Sequence, residues 1–412
     1  MSFKSTNYIT LLLFLIIIEA CSKKEEVFET KITSLSVSDI TLFTAVFKGS
    51  ISVIGSDGIT DHGFVWSLTE NPTLDNNPNK TSLGAINNPA DFESKVEGLE
   101  ANTEYFARIY TINNEGNASY GGSFKFATKD GWNQKQDFSA YATGKLIDGS
   151  TSFVIDGKAY VGGGRNLDDN VVLKQCWAYS PITDTWSQVA NMIYERQGAV
   201  GFAIDGKGYV VTGSYARDVQ QYDPTNNTWS KKADFPGEGR FYAAGFAING
   251  KGYVGAGRIN SNTQMYDFWE YSPSSDQWTQ KALIGEDIFS GIVRSNALGF
   301  VINGKGYIGG GVDSNNERLS DFWEYDPSTG MWSKKADIPS IISLAGSFSL
   351  GNEGYLVQAA SLYIYNPSNN AWKTRTNFKM TSTPSVGFAI DGKAYVAMPY
   401  SRERPVWQYN PN

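Results

Sequence analysis

GFAIDGKGYV, residues 201–210, places two short apolar runs on either side of an Asp-Gly pair. Such pairs tolerate the positive φ angles of type I′ turns, so the stretch predicts a tight β-hairpin. The pattern recurs with its phenylalanine at Phe153, Phe246, Phe300, Phe348 and Phe388. Five of the six turns are Asp-Gly or Asn-Gly, and the fifth unit has Gly351-Asn352 instead. The chain therefore contains an array of six repeated hairpins.

A second signature follows the hairpin in the first five units. It is Tyr-x-Pro with a tryptophan seven residues after the tyrosine, at Tyr179/Trp186, Tyr222/Trp229, Tyr271/Trp278, Tyr325/Trp332 and Tyr365/Trp372. Gly-Gly doublets follow the second strand at residues 162–163 and 309–310. Together these motifs resemble the kelch repeat, which implies four-stranded blades of a β-propeller. Because the tryptophans recur at one place in every blade, we interpret them as packing residues between blades.

The sixth unit ends at residues 409–412 (YNPN) without an outer Trp strand. The missing strand lies before the first unit, where residues 132–138 (WNQKQDF) match residues 229–235 (WSKKADF). We therefore expect the strand at Trp132 to pair beside Tyr409 and to close a six-bladed ring over residues 129–412. Closure removes sheet edges that otherwise invite aggregation.

Residues 27–128 have a different pattern of short alternating strands separated by turns. About seven such strands in about 100 residues predict an immunoglobulin-like sandwich. Residues 98–105 (GLEANTEY) resemble the Leu…Tyr corner of fibronectin type III domains, and residues 113–116 predict the following hairpin turn. The predicted fold class is all-β, with a fibronectin type III-like sandwich followed by the propeller.

The first twenty residues are predicted to be a lipoprotein signal peptide. An apolar run at 8–18 follows Lys4 and is too short to span a bilayer comfortably. The run ends IEAC at 18–21, which resembles a bacterial lipobox and implies acylation of Cys21. Residues 21–26 (CSKKEE) resemble the charged tether of surface-exported Bacteroidetes lipoproteins. We expect an outer-membrane lipoprotein exposed at the cell surface, with a periplasm-facing anchor as the alternative.

Composition excludes several classes of function. The formal net charge is −7 and there is no long basic run, so a nucleic-acid partner is not expected. Cys21 and Cys176 are the two cysteines and His62 is the one histidine, so neither a disulfide framework nor a cysteine-based zinc site is predicted. We interpret His62 as a turn or surface residue. No metal or cofactor is expected.

Three arginines share one position in consecutive blades. Arg196, Arg240 and Arg294 each precede the blade's phenylalanine by six residues, so they are expected side by side at the channel mouth. Clustered guanidinium groups suit a carboxylate, sulfate or phosphate, and eukaryotic kelch adaptors hold acidic peptides with arginines at a similar offset. The alternative is that these arginines order the loops. The other predicted ligand-binding residues are Arg165, Arg258, Tyr194 and Tyr242.

Two functional hypotheses follow. The first is a non-catalytic binding or scaffold protein for a glycan, a peptide or an outer-membrane partner. The alternative is a sugar isomerase similar to the six-bladed sialic acid mutarotase (N-acetylneuraminate epimerase). Its acid-base chemistry needs a carboxylate near the channel, for which Glu195, Glu238 and Glu286 are the candidates. A galactose-oxidase-like copper enzyme is rejected because the propeller segment contains no histidine.

Overall fold

The computed structural model describes residues 28–75, 77–138, 145–285, 293–343, 345–375, 383–399, 402 and 404–411. All regular structure in these ranges is β-strand. No helix in the described part of the chain is long and apolar enough to cross a membrane. The predicted signal peptide (1–20) and tether (21–26), including Cys21, lie outside the described residues.

The chain divides into two compact units. Of the described residues, the first unit takes 28–39, 45–96 and 104–126, and the second takes 40–44, 97–103 and everything from 127 onward. The predicted sandwich segment, 27–128, contains every strand of the first unit. Two of its connecting segments, 40–44 and 97–103, nevertheless belong to the second unit.

The first unit has two antiparallel sheets. One sheet has the order β1-β2-β4, from β1 (Lys31–Ser38), β2 (Ala45–Val53) and β4 (Ala90–Val96). In the other, β5 pairs with three strands, and its members are β3 (Asp61–Ser67), β5 (Glu104–Ile112), β6 (Ala118–Tyr120) and β7 (Phe124–Ala127). The turn between β5 and β6 falls on the predicted residues 113–116, where the Gly116 amide donates to the Asn113 carbonyl at 3.0 Å. Along β2 and most of β4, more buried residues alternate with more exposed ones, as expected for strands with one face toward the core.

His62 lies in β3 and is 5% exposed. Its Nδ1 is 2.7 Å from the Gly84 carbonyl oxygen, and its ring packs edge-on against Phe92 at 4.6 Å. The predicted turn or surface position for His62 is therefore wrong. The Asp61-His62-Gly63 sequence looks turn-like, but pairing of β3 with β5 places it in a strand.

The second unit contains six blades, which confirms the predicted propeller fold. Blade 1 comprises β9 (Ile147–Ile155), β10 (Lys158–Asn166), β11 (Val171–Val172), β12 (Cys176–Ser180) and β13 (Thr185–Val189). Blade 2 comprises β14 (Val200–Ile204), β15 (Lys207–Val211), β16 (Val219–Asp223) and β17 (Thr228–Lys232). Blade 3 comprises β18 (Ala244–Ile248), β19 (Lys251–Gly255), β20 (Phe268–Ser272) and β21 (Gln277–Gln280). Blade 1 has the additional two-residue strand β11, which pairs with β10.

Blades 4 and 5 follow the same four-stranded plan. They comprise β22 (Leu298–Ile302), β23 (Lys305–Gly309), β24 (Phe322–Asp326) and β25 (Met331–Lys334); then β26 (Gly346–Leu350), β27 (Glu353–Gln358), β28 (Ser361–Asn366) and β29 (Ala371–Arg375). Blade 6 is built from β30 (Pro384–Ile390), β31 (Lys393–Pro399), β32 (Val406–Tyr409) and the early strand β8 (Trp132–Lys135). The inner strands of blades 1 to 6 are, in order, β9, β14, β18, β22, β26 and β30.

Ring closure by β8 is as predicted. β8 pairs antiparallel with β32, and Trp132 stands opposite Tyr409. The two rings lie 4.8 Å apart, and the equivalent pair in blade 1, Tyr179 and Trp186, lies 4.9 Å apart. The closing strand therefore reproduces the geometry that the continuous blades have.

Tight hairpin turns carry the two inner strands of each blade. Asp205 has φ +49° and Gly206 has φ +72°, both in the left-handed region that the Asp-Gly pair predicts. The glycine two residues later also has a packing role. A Cβ at Gly208 would lie 2.2 Å from the ring of Phe153 in the preceding blade. Absence of a side chain at this position therefore allows neighbouring blades to pack closely.

The Tyr-Trp signature joins neighbouring blades through hydrogen bonds. In blade 2, Tyr222 donates to Asn227 at 2.9 Å, and the same Asn227 oxygen accepts the Ala190 amide of blade 1 at 2.8 Å. The indole of Trp229 donates to the Ala190 carbonyl at 2.8 Å. Trp186, Trp278, Trp332 and Trp372 each donate to a backbone carbonyl in the same way. The repeated aromatic residues are thus positioned by contacts between blades.

Candidate functional site

The three predicted arginines are buried in ion pairs. Arg240 has no exposed surface. Its guanidinium donates to both carboxylate oxygens of Asp267, at 2.5 and 2.9 Å. It also donates to the backbone carbonyls of Ala256 and Glu238, both at 2.9 Å. Its hydrogen-bonding capacity is therefore used within the fold.

The neighbouring blades repeat this arrangement. Arg294 is also fully buried, and it pairs with Asp321 and donates to the Gly310 carbonyl at 3.1 Å. Arg196 is 5% exposed and pairs with Asp218. None of the three arginines lines the central cavity described below. This geometry favours the loop-ordering alternative over an anion site formed by these residues.

A signal for these ion pairs was present in the sequence. In the same three blades, and only there, the residue directly before the third strand is an aspartate: Asp218, Asp267 and Asp321. The other blades have Gln175, Ala360 and Pro405 at this place. An arginine and an aspartate that occur together in each blade indicate a pair within the blade.

The other predicted residues lie in separate environments. Tyr194 is 43% exposed, and the Arg196 guanidinium lies 5.5 Å from its ring. Arg165 lies in β10 and donates to Asn170 in the connection to β11. Arg258 lies 5.3 Å from the ring centre of Tyr242. Of these residues, Tyr242 contributes directly to the central cavity.

The central cavity has a volume of about 500 Å³. Residues at or near the inner strands of all six blades line it, mostly Gly, Ser, Thr and Ala. Larger polar side chains are contributed by Asp148, Tyr242, Asn296, Arg318 and Gln358. Pockets of this size with a few convergent polar groups are typical of ligand sites.

Asp148, Gln197 and Tyr242 form a hydrogen-bonded cluster at this cavity. The Tyr242 hydroxyl donates to the Asp148 carboxylate at 2.7 Å, and the Gln197 amide nitrogen donates to the same oxygen at 3.0 Å. That nitrogen also lies 3.1 Å from the Tyr242 hydroxyl. Burial, and then the charge of Asp148, raise the pKa of Tyr242 far above its usual range. The phenol therefore stays protonated and acts as a donor.

Two glycines allow Tyr242 to reach across from blade 3 to blade 1. Tyr242, Gly198 and Gly149 all lie four residues before the phenylalanine of their blade, and all have positive φ, at +50°, +63° and +67°. A Cβ at Gly198 would lie 2.9 Å from the Tyr242 ring, and one at Gly149 would lie 3.3 Å from its hydroxyl. Asp148 and Gln197 were not predicted as site residues, because single residues in different blades carry no shared motif.

Two of the three carboxylates predicted for acid-base chemistry do not line this cavity. Glu195 and Glu238 are exposed, and neither lines the cavity. Glu286 lies outside the described residues. Within the described residues, no cluster of three or more His, Cys, Asp or Glu side chains could hold a metal ion. In the part of the chain that the structure describes, the carboxylate that lines the cavity is Asp148.

Comparison with known proteins agrees with this architecture. The Kelch motif matches residues 149–193, and a second Kelch motif matches residues 297–339. The first match covers the five strands of blade 1 except the first two residues of β9, and the second covers all four strands of blade 4. The chain is a kelch-repeat β-propeller protein.

Its curated relatives include Kelch-like protein 25 of Xenopus tropicalis, 24% identical over 249 residues. Kelch-like protein 35 of Mus musculus is 29% identical over 191 residues. These alignments cover 59% and 45% of this chain, but only 35% and 30% of the relatives. The chain therefore matches about a third of the length of these proteins.

Among solved structures, the structure of YjhT matches with a TM-score of 0.51 and 16% sequence identity. The match covers 63% of this chain and 93% of YjhT. At this identity the likeness concerns the fold.

Proposed function

We propose that this protein is a non-catalytic binding module of the cell envelope, and that its ligand enters the central cavity. The observation that carries this proposal is the cavity itself, whose polar lining comes from all six blades. Two of its lining residues, Asp148 and Tyr242, form a preorganised cluster with Gln197. Such a cluster, held by donors from separate blades, is suited to fix the orientation of a ligand.

The anion-binding role that we expected of the buried arginines fits Arg318 better. Arg318 lines the cavity from the long connection between β23 and β24 and is exposed. Among the described residues, no carboxylate lies within ion-pair distance of it. An exposed guanidinium beside a cavity can receive a carboxylate or phosphate without breaking a buried pair.

Replacing Arg318 by alanine is expected to remove ligand capture and leave folding intact. The full-length protein is immobilised and exposed to a cell-envelope extract, and bound material is analysed for protein by mass spectrometry and for sugar after hydrolysis. Lys158→Ala is the matched control, because it removes an exposed cation at the hairpin-turn end of blade 1. Equal capture by the two variants, or no specific capture by the wild type, would contradict the proposal.

The envelope location rests on Cys21 and the apolar run before it. We propose that acylation of Cys21 anchors the protein, with several acyl chains giving stable attachment. Cys21→Ser should move the protein from the membrane fraction to the soluble fraction after cell lysis. Retention of the serine variant in the membrane fraction, together with normal melting, would show that Cys21 is not the anchor.

The sialic acid mutarotase-like isomerase stays an alternative prediction. It differs from the binding module in one measurable respect, which is exchange between the anomers of N-acetylneuraminate. Proton NMR of that sugar with and without the full-length protein distinguishes them. Accelerated exchange that Asp148→Asn abolishes would replace the binding proposal with the isomerase.

A further inference from the structure

Three aromatic rings connect the solvent to the central cavity. Tyr215 is 51% exposed, and its ring lies edge-on to Phe241 with centres 4.2 Å apart. The Phe241 ring lies 5.9 Å from that of Tyr242, which lines the cavity. We name Tyr215, Phe241 and Tyr242 the aromatic ladder. It ends at the Asp148 carboxylate.

Tyr215, at the exposed end of the aromatic ladder, lies in a strained stretch of backbone. Four consecutive residues, Thr212 to Tyr215, have φ angles of +60°, +82°, +50° and +59°. Thr212 and Gly213 correspond to pairs of residues with positive φ at the same place in blades 1, 3 and 4. In blade 2 this left-handed stretch continues through Ser214 and Tyr215. A left-handed conformation costs about 1–2 kcal/mol per non-glycine residue. Strain of this kind is often associated with functional sites.

Hydrogen bonds connect this turn to the cavity cluster. The Ser214 amide donates to the Gln197 carbonyl at 3.0 Å, and the Gln197 amide donates to the Ser214 hydroxyl at 2.9 Å. The side chain of Gln197 in turn donates to Asp148. The exposed ring of Tyr215 and the polar end of the ladder are therefore positioned by one hydrogen-bonded unit.

The polar end of the ladder has spare acceptor capacity. A carboxylate has about four acceptor sites, and among the described residues Asp148 receives donors from Tyr242 and Gln197. Asn296 also lines the cavity, and its side-chain oxygen is buried without a hydrogen-bond partner. A ligand that brings hydroxyl donors would satisfy these acceptors.

We propose that the aromatic ladder and this acceptor cluster form a saccharide-binding site. This inference rests on the proposed binding function and specifies its ligand class. A pyranose ring has an apolar C–H face that can pack on an exposed tyrosine such as Tyr215, and hydroxyls that can donate to Asp148 and Asn296. Tyr215 is exposed, whereas Asp148 and Asn296 line the cavity, so a ligand that contacts all three must extend from the surface into the cavity, as an oligosaccharide does.

The cavity lining favours a sugar over a peptide side chain. Most lining residues are Gly, Ser, Thr or Ala, and their hydroxyls and peptide groups present donors and acceptors. Peptide recognition usually depends on a large apolar or aromatic anchor that fills a matching pocket. The charged lining residues, Asp148 and Arg318, have opposite charges, so the site does not require a charged ligand, and the Arg318 guanidinium can also donate to the hydroxyl oxygens of a neutral oligosaccharide.

Saturation-transfer NMR and titration calorimetry on the full-length protein test this proposal. The probes are maltotetraose, cellotetraose, chitotetraose, laminaritetraose and xylotetraose. We expect saturation transfer to ring C–H protons of at least one of them, and Tyr215→Ala should weaken its affinity at least tenfold. Tyr215→Phe should bind like the wild type, because it keeps the ring.

Tyr266→Ala is the matched control, because Tyr266 is 40% exposed on the next blade and has no place in the ladder. Equal losses in Tyr215→Ala and Tyr266→Ala would overturn the proposal, as would absence of transfer to all five probes. Melting curves confirm that each variant is folded. If the wild type captures an envelope protein in an Arg318-dependent way and binds no sugar, the saccharide inference fails while the binding function stands.

Discussion

Arg240→Ala is expected to destabilise the propeller by about 3–5 kcal/mol, the usual cost of removing one partner from a buried ion pair. Arg240 is fully buried, and its loss leaves the Asp267 carboxylate without its bidentate partner. The carbonyls of Ala256 and Glu238 lose their donors as well. Chemical denaturation followed by tryptophan fluorescence measures the change in the free energy of unfolding.

Arg217→Ala provides the control for this experiment. Arg217 is an exposed arginine of blade 2, and its guanidinium donates only to the carbonyls of Phe235 and Pro236, at 3.0 and 3.2 Å. Its replacement should cost about 0–1 kcal/mol, as for other surface interactions. If Arg240→Ala melts like the wild type and loses ligand capture, the buried arginines are binding residues after all.

The second large effect is expected at the closing strand. Trp132→Ala should destabilise the propeller by about 3–5 kcal/mol, the range for removing a buried tryptophan. Trp132 is 7% exposed and packs on Tyr409 at 4.8 Å. Losing this contact weakens the pairing of β8 with β32, so an open edge becomes available for aggregation. Thermal unfolding and light scattering report the two consequences.

Trp332→Ala distinguishes the two predicted consequences, which are lower stability and aggregation through an open sheet edge. Trp332 has the same position in blade 4 and lies 5.1 Å from Tyr325, but its strand is continuous with the rest of its blade. Both variants should lower the melting temperature, whereas aggregation at low denaturant should be greater for Trp132→Ala. A chain whose stability depends on Trp332 and is unaffected by Trp132 would contradict closure by β8.

Much of the propeller could be predicted because the information is local and repeated. Five of the six hairpins carry an Asp-Gly or Asn-Gly turn within ten residues, and the outer pairs of the first five blades carry a tyrosine and a tryptophan seven residues apart. Even the distant contact of Trp132 with Tyr409 was predictable. The array left one strand unmatched at each end, and closure of a ring requires those two strands to pair.

The arginines illustrate where a local pattern was insufficient. Their common offset correctly indicated equivalent places in three blades, but an offset does not define the direction of a side chain. The structure turns each guanidinium into its own blade, toward Asp218, Asp267 and Asp321. The exposed cation at the cavity is Arg318, which belongs to a long connection with no repeated motif.

The chain's repeats therefore specify six blades, their turns and their closure, because every such feature depends on neighbours in sequence or on repetition. The cavity cluster depends on the folded ring. Tyr242 and Asp148 are 94 positions apart, and Gln197 lies 49 positions from Asp148. They meet because the ring brings together the segments at or just before the start of the inner strands of blades 1, 2 and 3, and because Gly149 and Gly198 leave room for one tyrosine ring. Only three-dimensional packing creates that juxtaposition.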